Sequence, residues 1–195
     1  MKSLGEIIRL GKTPRVIGFD DAPFDKSSDA PVNVSGIVCA GANMEGMLWG
    51  ELTRDGDDST DVVSELLLGS KFHAQVHLVL LDGVAFGGFN VVDLPELARR
   101  VDRPCVAVMR RVPDLDAIDR ALSNVPSTDA KRARLARAGT IHEIDPFVFQ
   151  CHGADPDEVA ATLAILTLNG HVPEALRLAH FIGSAVMTGS SSNRA

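Results

Sequence analysis

The sequence predicts an α/β protein built on a mixed β-sheet with flanking helices. Three segments with strand character precede the first helical pattern and are expected to form an N-terminal three-strand meander. This order excludes a fold of strictly alternating strands and helices. Short apolar runs then alternate with helical segments, as in the buried strands of α/β sheets. The chain has 195 residues and is expected to form a single domain, with a globular core over about 15–187 and a flexible tail over 188–195.

The first half of the chain contains the meander. Val16–Phe19 is a near-continuous apolar run, typical of a central strand buried on both faces, and a polar loop over 23–31 follows it. Val32–Ala40 and Met44–Thr53 are two further strands, joined by the glycine-containing connection Gly41–Asn43. We expect the third strand of this meander to lie beside the first.

Strands and helices alternate in the rest of the chain. Asp58–Thr60 offers helix N-cap side chains, and Asp155–Glu158 combines an N-cap, a proline and a glutamate in the order that begins a helix. The predicted elements are a helix to about Leu68, a buried strand at Val76–Leu81, a helix at Leu94–Val101, a buried strand at Cys105–Met109, a helix at Leu115–Leu122, a polar and basic segment at 123–139 with a helix in its middle and mobile ends, a short edge strand at Phe147–Cys151, and two last helices that end near Gly170 and Met187.

Composition limits the classes of function. The chain is 45% hydrophobic and 23% charged, which is ordinary for a soluble globular protein. No apolar run is long enough to span a membrane, and we expect no signal peptide, because Met1–Thr13 has too little continuous apolar sequence. Cys39, Cys105 and Cys151 form no CxxC pair, so we expect reduced thiols in a cytoplasmic protein. The net charge of −7 argues against a general nucleic-acid coat protein, but not against a nuclease, because a carboxylate metal site is itself negative.

Acidic residues follow the predicted strands at the points where they end. Asp20 and Asp82 each close a buried apolar run, so a rigid strand would deliver each carboxylate to the edge of the sheet. Asp55 ends the third strand of the meander and would meet Asp20 if that strand lies beside the first. Carboxylates held together repel one another unless a cation lies among them, and oxygen ligands suit Mg²⁺ or Mn²⁺. The predicted metal ligands are therefore Asp20, Asp55 and Asp82.

The third of these carboxylates has competitors in the sequence. Glu51 lies earlier on the same strand, and Asp58 follows in the same acidic cluster, although Asp58 can also serve only as a helix N-cap. Asp55 and Asp82 both precede a glycine, which is also the pattern of a tight turn. The choice among Asp55, Glu51 and Asp58 stays open at this point.

Two further residues have both a structural and a functional interpretation. Asp21 is adjacent to Asp20, so its side chain should point to the opposite face of the strand, and turn formation is its predicted role. His180 lies in the apolar last helix, where a single histidine is either a satisfied core residue or part of a site.

Basic and glycine-rich segments are the candidates for substrate contact. Gly83–Asn90 is rich in glycine, which allows backbone to approach a ligand closely, and Arg110 and Arg111 follow a buried strand. The basic segment Lys131–Arg137 is either a solvated helix face or a cationic arm that contacts phosphates.

Several of these segments, in this order, resemble the endonuclease dU family, which is similar to endonuclease V. The resemblance extends over about 15–187 and is carried by Val16–Phe24, Asp55–Thr60, Leu81–Gly83 with Gly88–Asp93, and Pro173–His180. It implies a ribonuclease-H-like fold, metal-binding roles for Asp20 and Asp82, and a site element at Arg177–His180. In the family an Asp-Gly-x-Asp-x-Thr element, here Asp55–Thr60, replaces a glutamate of endonuclease V. The chain contains no tyrosine, so the tyrosine-containing wedge of endonuclease V has no counterpart in it.

The function that the resemblance implies is a Mg²⁺- or Mn²⁺-dependent endonuclease that cuts deaminated DNA, or RNA, at deoxyuridine or inosine. Asp20, Asp55, Asp82 and His180 are its predicted catalytic residues, with His180 at the rim. The predicted substrate-binding residues are Gly83, Gly88, Asn90, Arg110, Arg111 and Arg177. The alternative is a non-catalytic nucleic-acid or protein-binding module on the same fold. A phosphoacceptor domain fits less well, because the meander breaks its strict alternation of strands and helices.

Overall fold

A computed structural model describes residues 3–191 of the chain. The strands are β1 Arg15–Asp21, β2 Val32–Ala40, β3 Asn43–Leu52, β4 Leu78–Asp82, β5 Ala85–Phe86, β6 Asn90–Val91, β7 Cys105–Met109, β8 His142–Ile144 and β9 Phe147–His152. The helices are α1 Leu4–Arg9, α2 Ser59–Leu68, α3 Leu94–Val101, α4 Leu115–Leu122, α5 Thr128–Arg137, α6 Pro156–Leu166 and α7 Glu174–Thr188.

Seven strands form one mixed sheet in the order β3-β2-β1-β4-β7-β9-β8, which confirms the predicted fold class. β1, β2 and β3 form the antiparallel meander, β4 and β7 run parallel to β1, and β9 and β8 complete the other side in antiparallel orientation. β5 and β6 form a separate two-stranded ribbon. The parallel strands β1, β4 and β7 therefore lie side by side at the centre, where their carboxyl ends share one edge.

Both faces of the sheet are covered, because the central strands are apolar at successive positions and alternate their side chains between the faces. Ile17 and Phe19 of β1 pack with α2 and α3 in one core, and Val16 packs with α1, α6 and α7 in the other. Gly18 lets α7 approach β1 closely, since a Cβ at this position would lie 2.7 Å from the Ala175 backbone. This contact brings the last helix against the strand that ends in Asp20.

The structure corrects two of the predicted strand positions. The third strand of the meander does not lie beside the first, because β3 pairs with β2, and β2 lies between β3 and β1. The strand predicted at Phe147–Cys151 is not an edge strand, since β9 lies between β7 and β8. β8 is only three residues long and lacks an apolar run, so the sequence carries little signal for it.

Helix and strand bounds otherwise differ from the predicted ones by a few residues. β4 begins at Leu78 instead of Val76, and α6 ends at Leu166, since Thr167 is already extended. α1 is an additional short helix that the sequence did not predict. Of the predicted tail, 192–195 lie outside the described residues. Within residues 3–191 we find no helix with the length and apolar character needed to cross a lipid bilayer.

Candidate metal centre and active site

Asp20 and Asp82 meet because β1 and β4 are parallel neighbours. Phe19 pairs with Leu81 in the register of these strands, so the next residue of each strand stands beside the other at the carboxyl edge. α7 packs against β1 and places His180 beside Asp20. Ligand atoms of Asp20, Asp82 and His180 all lie within 4.8 Å of one another. Three residues that are distant in sequence therefore form one compact group.

Hydrogen bonds fix this group internally. Nδ1 of His180 donates to Oδ2 of Asp20 over 2.9 Å. Nη2 of Arg110 lies 3.4 Å from Oδ2 of Asp82. The group lines an open cleft of about 430 Å³. The lining residues are Asp20, Asp21, Ala22, Pro23, Phe24, Lys26, Asp82, Arg110 and His180.

The electrostatics of the cleft are those of carboxylates partly removed from water. Asp20 is only 4% exposed, and burial raises its pKa to about 7, although the hydrogen bond from His180 opposes the shift and the charges of Asp82 and Asp21 add to it. The same hydrogen bond raises the pKa of His180. The site therefore holds negative charge that the protein compensates only in part, which favours a cation.

The donor set fits a divalent metal ion. Two carboxylates and one imidazole converge on a common space, and Mg²⁺ and Mn²⁺ prefer oxygen ligands, while Mn²⁺ also accepts an imidazole nitrogen. Asp20, Asp82 and His180 are the residues that would hold such an ion.

Asp55, the predicted third ligand, is not among the atoms that converge in the described part of the chain. Its backbone adopts a left-handed conformation with φ of 50°, and Oδ1 accepts the N–H of Phe89 over 2.8 Å. The reason for its separation from Asp20 is the strand order, which places β2 between β3 and β1.

Neither alternative third ligand is brought to the group. Glu51 is exposed on the outer strand β3. Asp58 accepts hydrogen bonds from the N–H and hydroxyl of Thr53 and from the side-chain amide of Asn90. Its carboxylate closes the loop that begins α2, without the side-chain cap bond that the sequence suggested.

Asp21 lines the cleft, although the sequence assigned it only a turn. Its Oδ2 accepts the N–H of Gly87 over 2.7 Å. Burial raises the pKa of Asp21, and the charge of Asp82 adds to this effect. The adjacent pair of aspartates at a strand end was the available signal, since both side chains can reach a cleft that lies beyond the last pairing of β1 with β4.

The predicted substrate-binding residues fall into two groups. Gly83, Arg110 and Arg111 line a second depression of about 440 Å³, which shares Asp82 and Arg110 with the cleft. Asn90 is instead fully buried, where its side chain accepts from Ser59 N–H and donates to the Thr53 carbonyl.

Gly88 and Arg177 also lie away from the converging ligands. A Cβ at Gly88 would overlap the Asp55 carboxylate. The guanidinium of Arg177 pairs with Glu174 and stacks 5.0 Å from the centre of the Phe181 ring.

The basic segment Lys131–Arg137 lies within α5, and its cations contact carboxylates of the protein. Lys131 is fully buried, with Nζ 3.4 Å from Oδ1 of Asp57. Further pairs join Arg134 to Asp57, Arg132 to Asp119, and Arg137 to Asp93. These contacts attach α5 to the rest of the protein. Of the cations that the sequence predicted to bind phosphate, Arg110 lines the cleft and Arg111 lines the depression beside it.

Comparisons with known proteins identify the relatives of this chain. A sequence model described as Endonuclease dU matches residues 12–187. A UPF0215 protein of Methanothermobacter thermautotrophicus is 40% identical over 186 residues, covering 93% of this chain and 91% of the relative. A UPF0215 protein of Deinococcus radiodurans is 40% identical over 179 residues, covering 91% of each.

Solved structures agree with the fold. A protein of unknown function from Archaeoglobus fulgidus superposes with a TM-score of 0.84 at 35% identity, covering 89% of this chain and 98% of that one. Human ENDOV gives a TM-score of 0.58 at 15% identity, covering 89% and 83%. Ciona intestinalis endonuclease V, in complex with DNA that contains an inosine followed by a ribo-adenosine, gives 0.55 at 15% identity, covering 87% and 84%. At this level of identity, the endonuclease V structures show a shared ribonuclease-H-like fold.

Proposed function

The chain belongs to the endonuclease dU family, and from this membership we propose that it is a divalent-metal-dependent endonuclease that cuts deaminated nucleic acid. The observation that carries the proposal is the convergence of Asp20, Asp82 and His180 within 4.8 Å at the edge of the central strands. Carboxylate oxygens with one imidazole form a donor set that can bind a divalent ion such as Mn²⁺.

Asp20, Asp82 and His180 are the proposed ligands of the ion. When bound, a divalent ion of this kind polarises a phosphoryl oxygen and lowers the pKa of water. The protein holds these ligands on two rigid strands and a packed helix, so they are preorganised. Arg110, beside Asp82, is 45% exposed and can also reach a phosphate oxygen in the cleft.

The Asp20–His180 hydrogen bond is proposed to orient both ligands. Donation from Nδ1 of His180 to Asp20 would hold the imidazole in one neutral tautomer and fix the direction of its ring. In phosphodiester hydrolysis the bond from water oxygen to phosphorus forms, the bond from phosphorus to the 3′-oxygen breaks, and the leaving oxygen takes up a proton. Water acidified by the ion would supply that proton, because ligands such as His180 bind an ion in their deprotonated forms.

The proposed substrate is a strand that contains deoxyuridine or inosine. Support comes from the name of the family and from the inosine-containing DNA in the Ciona complex. An altered base has to be unpaired to be read. The depression beside the cleft has apolar walls from Val108, Pro113 and Ile118 together with Gly83, and we propose it as the place where such a base rests. Arg111 lines its polar side.

A nicking assay tests the proposal. Uracil-containing, inosine-containing and undamaged strands, as single-stranded DNA, duplex DNA and RNA, would be incubated with Mn²⁺, with Mg²⁺ and with EDTA. We expect cleavage only with a metal ion and only in the deaminated strands. Asp20→Asn should abolish cleavage, because it removes a charged ligand but preserves its shape.

Asp102→Asn is the matched control for this assay. Asp102 has a 96% exposed side chain, lies at the opposite end of β7 and has a left-handed backbone that suits asparagine. It should cleave like the wild type. A fully active Asp20→Asn protein would refute the assignment, and metal-independent binding without nicking would favour the non-catalytic module.

A further inference from the structure

Asp21 presents a carboxylate to the cleft from the other side of β1. Asp20 turns towards α7 and His180, whereas Asp21 turns towards the Gly87 backbone. Both nevertheless line the cleft, although Asp21, like Asp55, is not among the ligand atoms that converge within 4.8 Å in the described part of the chain.

Gly87 is a rigid donor for this carboxylate. Its φ of 54° lies in the left-handed region, and a Cβ at this position would lie 2.7 Å from Leu52 and 3.2 Å from Val32. The loop is thus packed tightly against β2 and β3. Its N–H direction is set by the scaffold, which fixes where Asp21 points.

Asp55 holds the same loop from outside. Its N–H donates to the Gly87 carbonyl over 2.9 Å, and its Oδ1 accepts from Phe89 N–H over 2.8 Å. Two hydrogen bonds therefore clamp residues 87–89. Through Gly87, Asp55 is connected to the Asp21 carboxylate without reaching the cleft itself.

From these contacts we propose that Asp21 supplies the third carboxylate of the metal centre and that Asp55 is a positioning residue acting through the 87–89 loop. The inference rests on the proposed function, since it assumes a metal ion beside Asp20 and Asp82. It assigns the family's Asp55 element a structural role and moves the missing ligand to the residue next to Asp20.

Binding of Mn²⁺, followed by the spectroscopic signal of the free ion, tests the proposal without any nuclease assay. The variants are Asp21→Asn, Asp55→Asn, Asp55→Ala and Asp20→Asn, with Asp102→Asn as control. The melting temperature of each metal-free protein shows whether it is folded. An asparagine keeps the oxygen that accepts Gly87 N–H or Phe89 N–H and removes only the charge.

We expect Asp21→Asn to weaken Mn²⁺ binding by about tenfold or more without lowering the melting temperature of the metal-free protein. Asp55→Asn should bind like the wild type, because its oxygen still clamps the loop, whereas Asp55→Ala should bind more weakly. This rescue by asparagine separates a positioning residue from a charged ligand.

Three results would overturn the inference. Wild-type affinity in Asp21→Asn would remove Asp21 from the centre, and if Asp20→Asn still lost binding, the proposed function would stand. Equal losses in Asp55→Asn and Asp55→Ala would make the Asp55 charge itself a ligand. A wild-type protein that binds no Mn²⁺ would refute the proposed function together with this inference.

Discussion

Two groups of acidic residues at the carboxyl edge of the sheet have carboxylates with different surroundings. Asp20 and Asp82 face each other across parallel strands. His180 and Arg110 offset their negative charge only in part, so the two carboxylates can bind a cation that enters the cleft. In the segment Asp55–Asp58, the carboxylates accept hydrogen bonds from backbone and side chains of the protein. The two groups of carboxylates differ in how many of their oxygens are already hydrogen-bonded within the protein, and not in the number of acidic residues.

Burying carboxylates has different energetic consequences in the two regions. Carboxylates that face one another are costly to bury, because desolvation and mutual repulsion disfavour their charged forms. Carboxylates that accept several N–H bonds stabilise a loop. The first region should therefore lose metal binding on substitution, and the second should lose stability.

The largest effects are expected from substituting Asp82 in the first region and Asn90, whose side chain donates to Asp58, in the second. Asp82→Asn should weaken Mn²⁺ binding by more than about 100-fold, above the range for residues that only support a ligand, with little change in the free energy of unfolding. Asn90→Ala should lower that free energy by about 3 kcal/mol, since it leaves Ser59 N–H and the Thr53 carbonyl without their buried partner. Urea unfolding without metal and Mn²⁺ titration measure the two quantities.

The comparison fails if the two variants change the same quantity. A strongly destabilised Asp82→Asn protein would mean that the centre is a structural element of the fold. A loss of Mn²⁺ affinity in Asn90→Ala as large as in Asp82→Asn would place the loop inside the centre.

A buried lysine extends the comparison to α5. Lys131 is fully buried beside Asp57, which also pairs with Arg134. Lys131→Ala should cost about 3 kcal/mol, because it removes the buried stem and leaves a cavity. Lys131→Met should cost about 1 kcal/mol, since the stem remains and Asp57 keeps Arg134. Equal costs in urea unfolding would show that the charge, and not the packing of the stem, dominates.

The sequence was sufficient for the sheet centre because its signals there are local. Each of β1, β4 and β7 is a short apolar run, and the residue after the run identifies the edge where Asp20 and Asp82 meet. His180 was ambiguous from its residue chemistry, since a histidine in an apolar helix is either a core residue or part of a site, and the resemblance strengthened it as a candidate. The close approach at Gly18, which brings α7 to Asp20, is a tertiary property that periodicity does not reveal.

Other features depend on contacts between distant segments. The position of Asp55 follows from strand order, and the wrong expectation that β3 lies beside β1 placed its carboxylate at the centre. The burial of Lys131 occurs in a helix with a polar sequence, so no hydrophobic pattern indicates it. Asp21 was assigned to a turn because side-chain alternation was taken to keep it out of the site. Its side chain does point to the other side of β1 from Asp20, but the cleft is lined from both sides of the strand end.

The pH dependence of stability should have opposite signs in the two regions. Asp20 has a pKa of about 7 in the folded protein against 3.8 ordinarily, so the folded state binds this proton more tightly and loses stability as the pH rises between these values. The raised pKa of His180 acts in the same direction, since its contribution is lost as the pH rises through the folded value.

The Asp57 contact behaves in the opposite way. Burial alone would raise the pKa of Asp57, but hydrogen bonds from Ser127 and Arg134 and the charge of Lys131 lower it. Its contribution is present above the ordinary value of 3.8 and is lost as the pH falls through the folded value.

Melting curves of the metal-free protein from acid to neutral pH measure both effects. The melting temperature should fall towards neutral pH, and this fall should be smaller in Asp20→Asn. Mn²⁺ affinity should rise over the same range, because the ion displaces protons from its ligands. A fall of equal size in Asp20→Asn would assign the titration to other groups.

The smallest effects distinguish cations of the two regions. Arg110 and Arg132 are similarly exposed, at 45% and 40%, but Arg110 lines the cleft and Arg132 pairs with Asp119 on α4. Either alanine variant should cost less than about 1 kcal/mol of stability, as is typical of exposed ion pairs. Only Arg110→Ala should weaken binding of single-stranded DNA and reduce the slope of log affinity against log salt by about 1. Equal slopes in the two variants would mean that strand binding is not centred on the cleft, because a phosphate contact at Arg110 releases counterions that a contact within the scaffold does not.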